Sequence, residues 1–139
     1  MKQCPVCGAI NDGHRWIPDP PEELRRRAAK ERSVGECPGC RRVEKRQVEG
    51  IVRLEGGFLG QHMDEARNLV KRVERNGRHR NVAARVLEMR EENGGLVIET
   101  TDDHLAERIG KEMEKAFKGD LDIKWQSKDH FVRIVWTRD

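Results

Sequence analysis

The four cysteines of this 139-residue chain fall into two pairs with the spacing of metal ligands. Cys4 and Cys7 form the first pair and Cys37 and Cys40 form the second, each with two residues between its members. This spacing lets one tight turn direct both sulfurs at one ion, and two such turns complete a tetrahedron. The pattern predicts a zinc ribbon that holds one structural Zn²⁺ per chain. Because four protein ligands leave no open position, we expect the metal to fold the module and to do no chemistry.

Other cysteine chemistries fit the pattern less well. A disulfide across C-x-x-C is strained, and no secretory signal precedes Cys4. A thioredoxin-type redox motif needs one C-x-x-C that opens a helix after a strand, whereas two copies occur here and each contains a proline that favours a turn. Iron in a rubredoxin-like site uses the same four thiolates and stays an alternative, which would make the protein an electron carrier.

The composition is that of two small units. Only 35% of the residues are hydrophobic, which is low for one large core, and 28 Lys and Arg nearly balance 25 Asp and Glu. We expect residues 1–47 to form the zinc ribbon and residues 48–139 to form a second domain. No apolar run approaches the roughly 20 residues of a membrane span. We therefore expect a cytoplasmic protein without a membrane partner.

The stretch between the cysteine pairs predicts a helical insert at about residues 19–33. Asp19 and Pro20 suit a helix start, and most of the residues that follow are charged. Three successive arginines favour a sequence-independent partner such as a phosphate backbone: Arg25, Arg26 and Arg27. A solvated helix with charges of both signs is the alternative.

From residue 48 onward, strand and helix patterns alternate in the order βαββαββ. One helix starts at residue 59 and is expected to end at Asn76-Gly77, and a second is capped by Thr100 or Thr101 and stopped by Gly119. Predicted strands cover residues 48–54, 84–90, 96–100, 121–125 and 131–136, with a turn at 127–129. The predicted fold class is α+β: an N-terminal four-cysteine zinc ribbon followed by a ferredoxin-like sandwich with one added strand.

The sequence contains no recognisable catalytic constellation. There is no Gly-rich phosphate loop with its lysine, no G-x-S-x-G and no H-E-x-x-H, and the five histidines are scattered. We expect the protein not to be an enzyme and to have no small-molecule substrate.

A basic cluster at the end of the first predicted helix is the candidate binding surface. It contains one acid, Glu74, against six bases: Arg67, Lys71, Arg72, Arg75, Arg78 and Arg80. Such a cluster suits the backbone of a nucleic acid, although a solvated basic face has the same pattern. Four of the six aromatic residues fit core positions, namely Phe117, Trp125, Phe131 and Trp136. The sequence therefore predicts that structured RNA is recognised by shape and phosphates, not by base stacking.

The chain also resembles a small prokaryotic family of zinc-ribbon proteins. The resemblance lies in the two cysteine pairs, the Gly94-Gly95-Leu96 turn into a strand, and the helix around Leu105-Ala106. That family is similar to the N-terminal half of the nonsense-mediated-decay-family adaptor for large-subunit export. The resemblance implies association with the ribosome through RNA and ribosomal proteins.

These observations predict a non-enzymatic zinc-ribbon RNA-binding protein, associated with the ribosome or its assembly. The alternative is a protein–protein interaction module with a structural zinc and no nucleic-acid role. In that case the ribbon, or the acidic helix at residues 102–117, would contact another protein.

Overall fold

The computed structural model describes residues 1–31, 33–126, 128 and 130–139. The N-terminal module, residues 1–47, contains a small antiparallel sheet of three strands in the order β1-β2-β3, and two helices. Its elements are β1 (Lys2–Gln3), β2 (Ile10–Asn11), β3 (Trp16–Ile17), α1 (Glu22–Glu31) and α2 (Pro38–Glu44). The predicted helical insert is therefore present as α1, and Arg32 lies outside the described residues.

Helix α2 starts within the second cysteine pair, where the sequence predicted only a turn. Cys37 has the extended backbone of a helix N-cap, and its Sγ accepts a hydrogen bond from the backbone N–H of Cys40 at 3.4 Å. Pro38 takes the first helical position, where its missing N–H costs nothing. The expectation of a turn is therefore wrong for this pair, because the proline starts a helix here.

Residues 48–139 follow the predicted order of strands and helices. The elements are β4 (Gly50–Glu55), α3 (Leu59–Arg80), β5 (Val86–Glu92), β6 (Gly95–Thr100), α4 (Asp103–Phe117), β7 (Asp120–Gln126) and β8 (Phe131–Thr137). None of the helices in the described ranges is both long enough and apolar enough to cross a membrane. Of the predicted turn at 127–129, Ser127 and Asp129 lie outside the described residues.

The five strands form one mixed sheet in the order β5-β6-β4-β8-β7. Three of the pairings are antiparallel, whereas β4 and β8 pair in parallel, with Val52 opposite Ile134. Strand β8, the last in the chain, therefore lies beside β4. Strand β7, which forms a hairpin with β8, is at one edge of the sheet. The domain is an α+β sandwich whose sheet is antiparallel except for this central parallel pair.

One face of the sheet is covered by α3 and α4. Alternate residues of the strands point to this face, as the two-residue period of a strand requires. Helix α4 lies especially close, because a Cβ atom on Gly110 would come within 2.7 Å of Cγ2 of Ile134. The core includes Val52, Leu54, Leu69, Val70, Val73, Leu96, Ile98, Leu105, Ile109, Met113, Val132, Ile134 and Trp136.

Helix α3 does not end at Asn76-Gly77 as predicted but continues to Arg80. Gly77 is buried inside the helix, on the side that meets α4, and a Cβ there would lie 3.5 Å from Cδ1 of Leu105. A glycine inside a helix costs about 1 kcal/mol relative to alanine. Packing against α4 outweighs that cost, so the helix passes through the glycine and ends at Asn81.

The aromatic residues assigned to the core are not all buried. Trp136 is fully buried, and its Nε1 donates to the carbonyl oxygen of Lys118 at 2.6 Å. Phe117 and Phe131 are half-buried. Trp125, in contrast, is 46% exposed, because it lies near the end of the edge strand β7. The assignment of Trp125 to the core is therefore wrong.

Candidate metal centre and basic surface

The four cysteines meet in a cluster of the size that a single metal ion needs. Their sulfur atoms all lie within 4.8 Å of one another, and the Sγ atoms of Cys7 and Cys37 are 3.6 Å apart. Four sulfurs at about 2.3 Å from a tetrahedral ion would be about 3.8 Å from each other. Cys7 is half-buried and the other three are buried. The arrangement can therefore hold one metal ion with four protein ligands.

Local backbone geometry positions the first pair. The N–H of Cys4 donates to the carbonyl oxygen of Ala9 at 2.8 Å, and the N–H of Gly8 donates to the carbonyl oxygen of Cys4 at 3.0 Å. Gly8 has a φ of 81°, a conformation that glycine adopts without strain. The turn is thus closed at both ends, and it presents Cys4 and Cys7 to the second pair.

The environment shifts the pKa values of the cysteine thiols in opposite directions. Burial would raise the pKa of Cys4, but backbone hydrogen bonds from Cys37, Cys7 and Val6 outweigh it and lower that pKa to about 6. Burial raises the pKa of both Cys37 and Cys40 above the ordinary thiol value. At neutral pH this arrangement therefore favours the thiol form of Cys37 and Cys40 and the thiolate form of Cys4.

Metal binding at pH 7 should consequently release at least two protons, one each from Cys37 and Cys40, since both must lose a proton to act as ligands. Below about pH 6 the Cys4 thiolate is protonated as well, so the apparent metal affinity should fall more steeply with acidification. Calorimetric titration with zinc in two buffers of different ionisation enthalpy measures the number of protons. A binding heat that does not depend on the buffer would contradict this account.

Arg85, which the sequence analysis did not single out, points at the metal cluster from the start of β5. Its Nη2 atom lies 3.5 Å from Sγ of Cys37 and 3.6 Å from Sγ of Cys40. Burial would lower its pKa, but the surrounding cysteine sulfurs, as acceptors and negative charges, raise that pKa overall. Four thiolates around a divalent ion carry a net charge of about −2. Arg85 therefore offsets part of this charge. No spacing pattern in the sequence identifies it.

Buried contacts hold Arg85 in place. Its backbone N–H donates to Oγ1 of Thr101 at 2.9 Å, and the N–H of Thr101 donates to the carbonyl oxygen of Arg85 at 2.9 Å. Arg42 on α2 donates from Nη1 to the carbonyl oxygen of Thr101 at 3.0 Å. A Cβ atom on Gly39 would overlap the carbonyl oxygen of Val82 and lie 2.8 Å from Nε of Arg85. The second cysteine pair is thus docked on the segment before β5.

The N-cap of α4 is not Thr100 or Thr101, as the sequence predicted. Asp102 is the N-cap, and its carboxylate accepts from the N–H of Leu105 at 2.9 Å. Thr101 is fully buried and donates from Oγ1 to the carbonyl oxygen of Ala83 at 2.7 Å. The Thr101 hydroxyl group that was expected to cap α4 therefore bonds to the segment before β5 instead, and the contact with the N-terminal module is made by the carbonyl oxygen of Thr101, which accepts from Arg42.

Replacing Arg85 by methionine, which keeps much of its length, should lower zinc affinity about 10-fold to 100-fold, the usual effect of losing a group that contacts the ligands. Competition with a chromophoric chelator measures the zinc affinity of each variant. Arg90, on the exposed part of β5, provides the matched control Arg90→Met, which should bind zinc like the wild type. Equal affinities of Arg85→Met and the control would contradict the role of Arg85.

The structure divides the predicted basic cluster among three sides of α3. Arg67 is paired with Glu91 through Nη2 at 2.8 Å. Arg78 is half-buried, and its Nε and Nη2 atoms have no hydrogen-bond partner among the described residues. Lys71 and Arg75 lie on the exposed ridge of the helix. The remaining two members, Arg72 and Arg80, line a groove between α3 and α4.

The groove between α3 and α4 brings together bases from two helices. It has a volume of about 490 Å³ and is lined by four bases and two acids: Arg72 and Arg80 from α3, and Arg108, Lys111, Glu107 and Glu112 from α4. Arg108 and Lys111 were not predicted as binding residues, because the sequence of α4 as a whole is acidic. Their spacing of three residues places them on one side of the helix, which is the signal that was available. That side faces α3.

The arginines of the insert are not among the residues that line this groove. Arg25 donates from Nε to the carbonyl oxygen of Pro20 at 3.0 Å, and Arg26 is 3.9 Å from Glu22 in an exposed ion pair. Arg27 is exposed. The helix itself is anchored by the buried Ala28. The contacts of Arg25 and Arg26 are local and leave the interpretation of a solvated helix in place.

This chain matches no protein-family model, no curated protein and no solved structure. The function of the chain is therefore inferred from the metal cluster and the basic groove.

Proposed function

We propose that the protein is a non-enzymatic zinc-ribbon RNA-binding protein of the cytoplasm that associates with the ribosome or its assembly intermediates. The single observation that carries the proposal is the groove between α3 and α4, where Arg72, Arg80 and Arg108 come together. In the described part of the chain, these three have no carboxylate within salt-bridge distance. Unpaired arginines on one exposed surface suit the phosphates of an RNA backbone.

Zinc is the metal proposed for the cysteine cluster. Four sulfurs at tetrahedral spacing are the ligand set of structural zinc, and iron shares it. When bound, zinc would be held by Cys4, Cys7, Cys37 and Cys40, and it would supply folding energy to the N-terminal module. Arg85 contacts Cys37 and Cys40 and would thereby hold the N-terminal module against the segment that leads into β5.

Ribosome association is proposed from the resemblance of the cysteine pairs, the Gly94-Gly95 turn and the following helix to the zinc-ribbon family. The resemblance also supports describing the sandwich as a ferredoxin-like variant, with β8 inserted beside β4. The basic groove supports an RNA partner without reference to that resemblance.

A salt titration of RNA binding tests the proposal. The purified protein is mixed with a labelled, structured ribosomal RNA fragment, and the dissociation constant is measured by fluorescence anisotropy between 50 and 200 mM salt, a range over which phosphate-dominated binding weakens by orders of magnitude. We expect a steep linear fall of log affinity with log salt. No binding at the lowest salt would contradict the proposal.

Two exposed apolar side chains on the N-terminal module favour the second candidate, a protein–protein interaction module. Val6 and Val34 are 70% and 67% exposed. Isolated apolar residues on a surface are common, so these two carry less weight than the groove. The absorbance ratio at 260 and 280 nm of protein purified at low salt separates the two candidates. Copurified nucleic acid supports RNA binding, and its absence favours a protein partner.

A further inference from the structure

We infer that the groove between α3 and α4, together with the neighbouring Trp125, binds an unpaired nucleotide of the RNA. Its phosphates would contact the groove arginines and its base would stack on the indole ring of Trp125. The inference rests on the proposed RNA-binding function and narrows it, since shape recognition of a duplex needs no aromatic platform.

Trp125 is exposed although it lies on the side of the sheet that the helices cover. On the same side of β7, Leu121 and Ile123 pack against the core. Trp125 continues that row, yet 46% of it remains exposed. An exposed indole beside cations is the usual platform for single-stranded nucleic acid, because every base has a flat face that stacks on it.

His104 connects Trp125 to the groove. Its ring centroid lies 5.9 Å from that of Trp125, with the two planes inclined at 54°. The same histidine lines both the groove and a smaller recess of about 150 Å³, which also shares Arg80 and Arg108 with the groove. A backbone in the groove could therefore place the next base over the indole.

The charges in the groove favour phosphate. Lys111 is 3.5 Å from Glu107 and is partly neutralised by it. Glu112 also lines the groove, but Arg72, Arg80 and Arg108 have no carboxylate within salt-bridge distance among the described residues, so the groove keeps an excess of positive charge. Arginine contacts phosphate through two parallel hydrogen bonds. The volume of about 490 Å³ lies within the range of small-ligand sites, about 300 to 1,000 Å³.

A second cleft, at the N-terminal end of α3, has the opposite character. It has a volume of about 550 Å³ and is lined by Glu55 and Glu92 beside Arg53. Arg53 is 3.7 Å from Glu92 and is therefore already paired. This cleft does not suit a phosphate group, so the assignment to the α3–α4 groove does not depend on cleft size alone.

The test compares the RNA affinities of Trp125→Ala, Trp125→Phe and the wild type. Two RNAs of equal length are used, one single-stranded and one fully paired. A length of about ten nucleotides is a typical site size for a single strand. We expect Trp125→Ala to weaken single-strand binding about 5-fold to 100-fold, the effect of losing one stacked base. The salt slope and the affinity for the duplex should not change. Trp125→Phe keeps a flat ring and should retain most of the affinity.

The outcomes separate this inference from the proposed function. If Trp125→Ala binds the single strand as well as the wild type, while both show the steep salt dependence, the inference is overturned and RNA binding stands. If the wild type binds neither RNA at low salt, the proposed function fails, and the inference fails with it. Zinc content and circular dichroism verify that each variant is folded. Should Trp125→Ala not fold, Trp125→Leu, which keeps an apolar side chain but has no flat ring, should show the same loss of single-strand affinity, and wild-type affinity in that variant would overturn the inference.

Discussion

Replacing Cys37 by serine should abolish tight zinc binding and unfold the N-terminal module, while residues 48–139 keep their fold. Cys37 has three roles, since its sulfur joins the metal cluster, caps α2 by accepting from Cys40, and contacts Arg85. Structural zinc contributes about 10 to 16 kcal/mol of apparent binding free energy to small modules. We expect the loss of affinity to exceed the roughly 100-fold upper limit for residues outside the ligand set.

The second domain should survive because it has its own core. The buried residues of the sandwich and those of the cysteine cluster form separate groups, and Val82 is the main apolar contact from the sandwich to the metal cluster. Zinc content by mass spectrometry and backbone hydrogen exchange measure the two effects. Val6→Ser is the matched control, since it changes an exposed residue between two ligands and should leave zinc content and exchange unchanged. Stoichiometric zinc and a protected module in Cys37→Ser would contradict the assignment.

Replacing Arg72 and Arg80 together by glutamine should give the largest loss of RNA affinity among pairs of surface substitutions. Both side chains line the groove from α3 and have no carboxylate partner among the described residues. Each phosphate contact contributes about 0.7 to 0.9 to the slope of log affinity against log salt. The double variant should therefore flatten the slope by about 1.4 to 1.8.

The control for this prediction must remove the same charge elsewhere. Lys124 and Arg133 lie opposite each other on β7 and β8, on the sheet face away from the helices. Replacing both by glutamine lowers the net charge by the same amount as the groove variant does. We expect the slope of this control to stay close to that of the wild type. If the two double variants flatten the slope equally, total charge and not the groove governs binding.

Much of the architecture could be predicted from the sequence because hydrophobic period and turn residues are local signals. The cysteine spacing predicted the metal cluster, and the order of strands and helices after residue 48 is confirmed. Helix α3 continues beyond Gly77 because Gly77 packs against Leu105, a residue far away in the sequence, and this contact is not visible in the local sequence pattern. The parallel pairing of β4 with β8 also depends on contacts between distant segments, so the sheet order could not be deduced.

The candidate site was predicted only in part, for a similar reason. A run of bases in the sequence identified α3, but the helix turns by about 100° per residue and distributes the run over several sides. Arg67 on α3 is neutralised by Glu91, a residue of strand β5. Arg85, Arg108 and Trp125 gain their importance from neighbours on other elements, and no spacing between them in the chain reveals it.

The most direct test of the account is sedimentation of the protein in a sucrose gradient of lysate from its own cells, at low and at moderate salt, with zinc measured in the purified protein. We predict one zinc per chain and comigration with a ribosomal peak at low salt, from which moderate salt releases the protein. A protein that stays at the top of the gradient at both salt concentrations would contradict the association with the ribosome, and iron in place of zinc would contradict the structural metal.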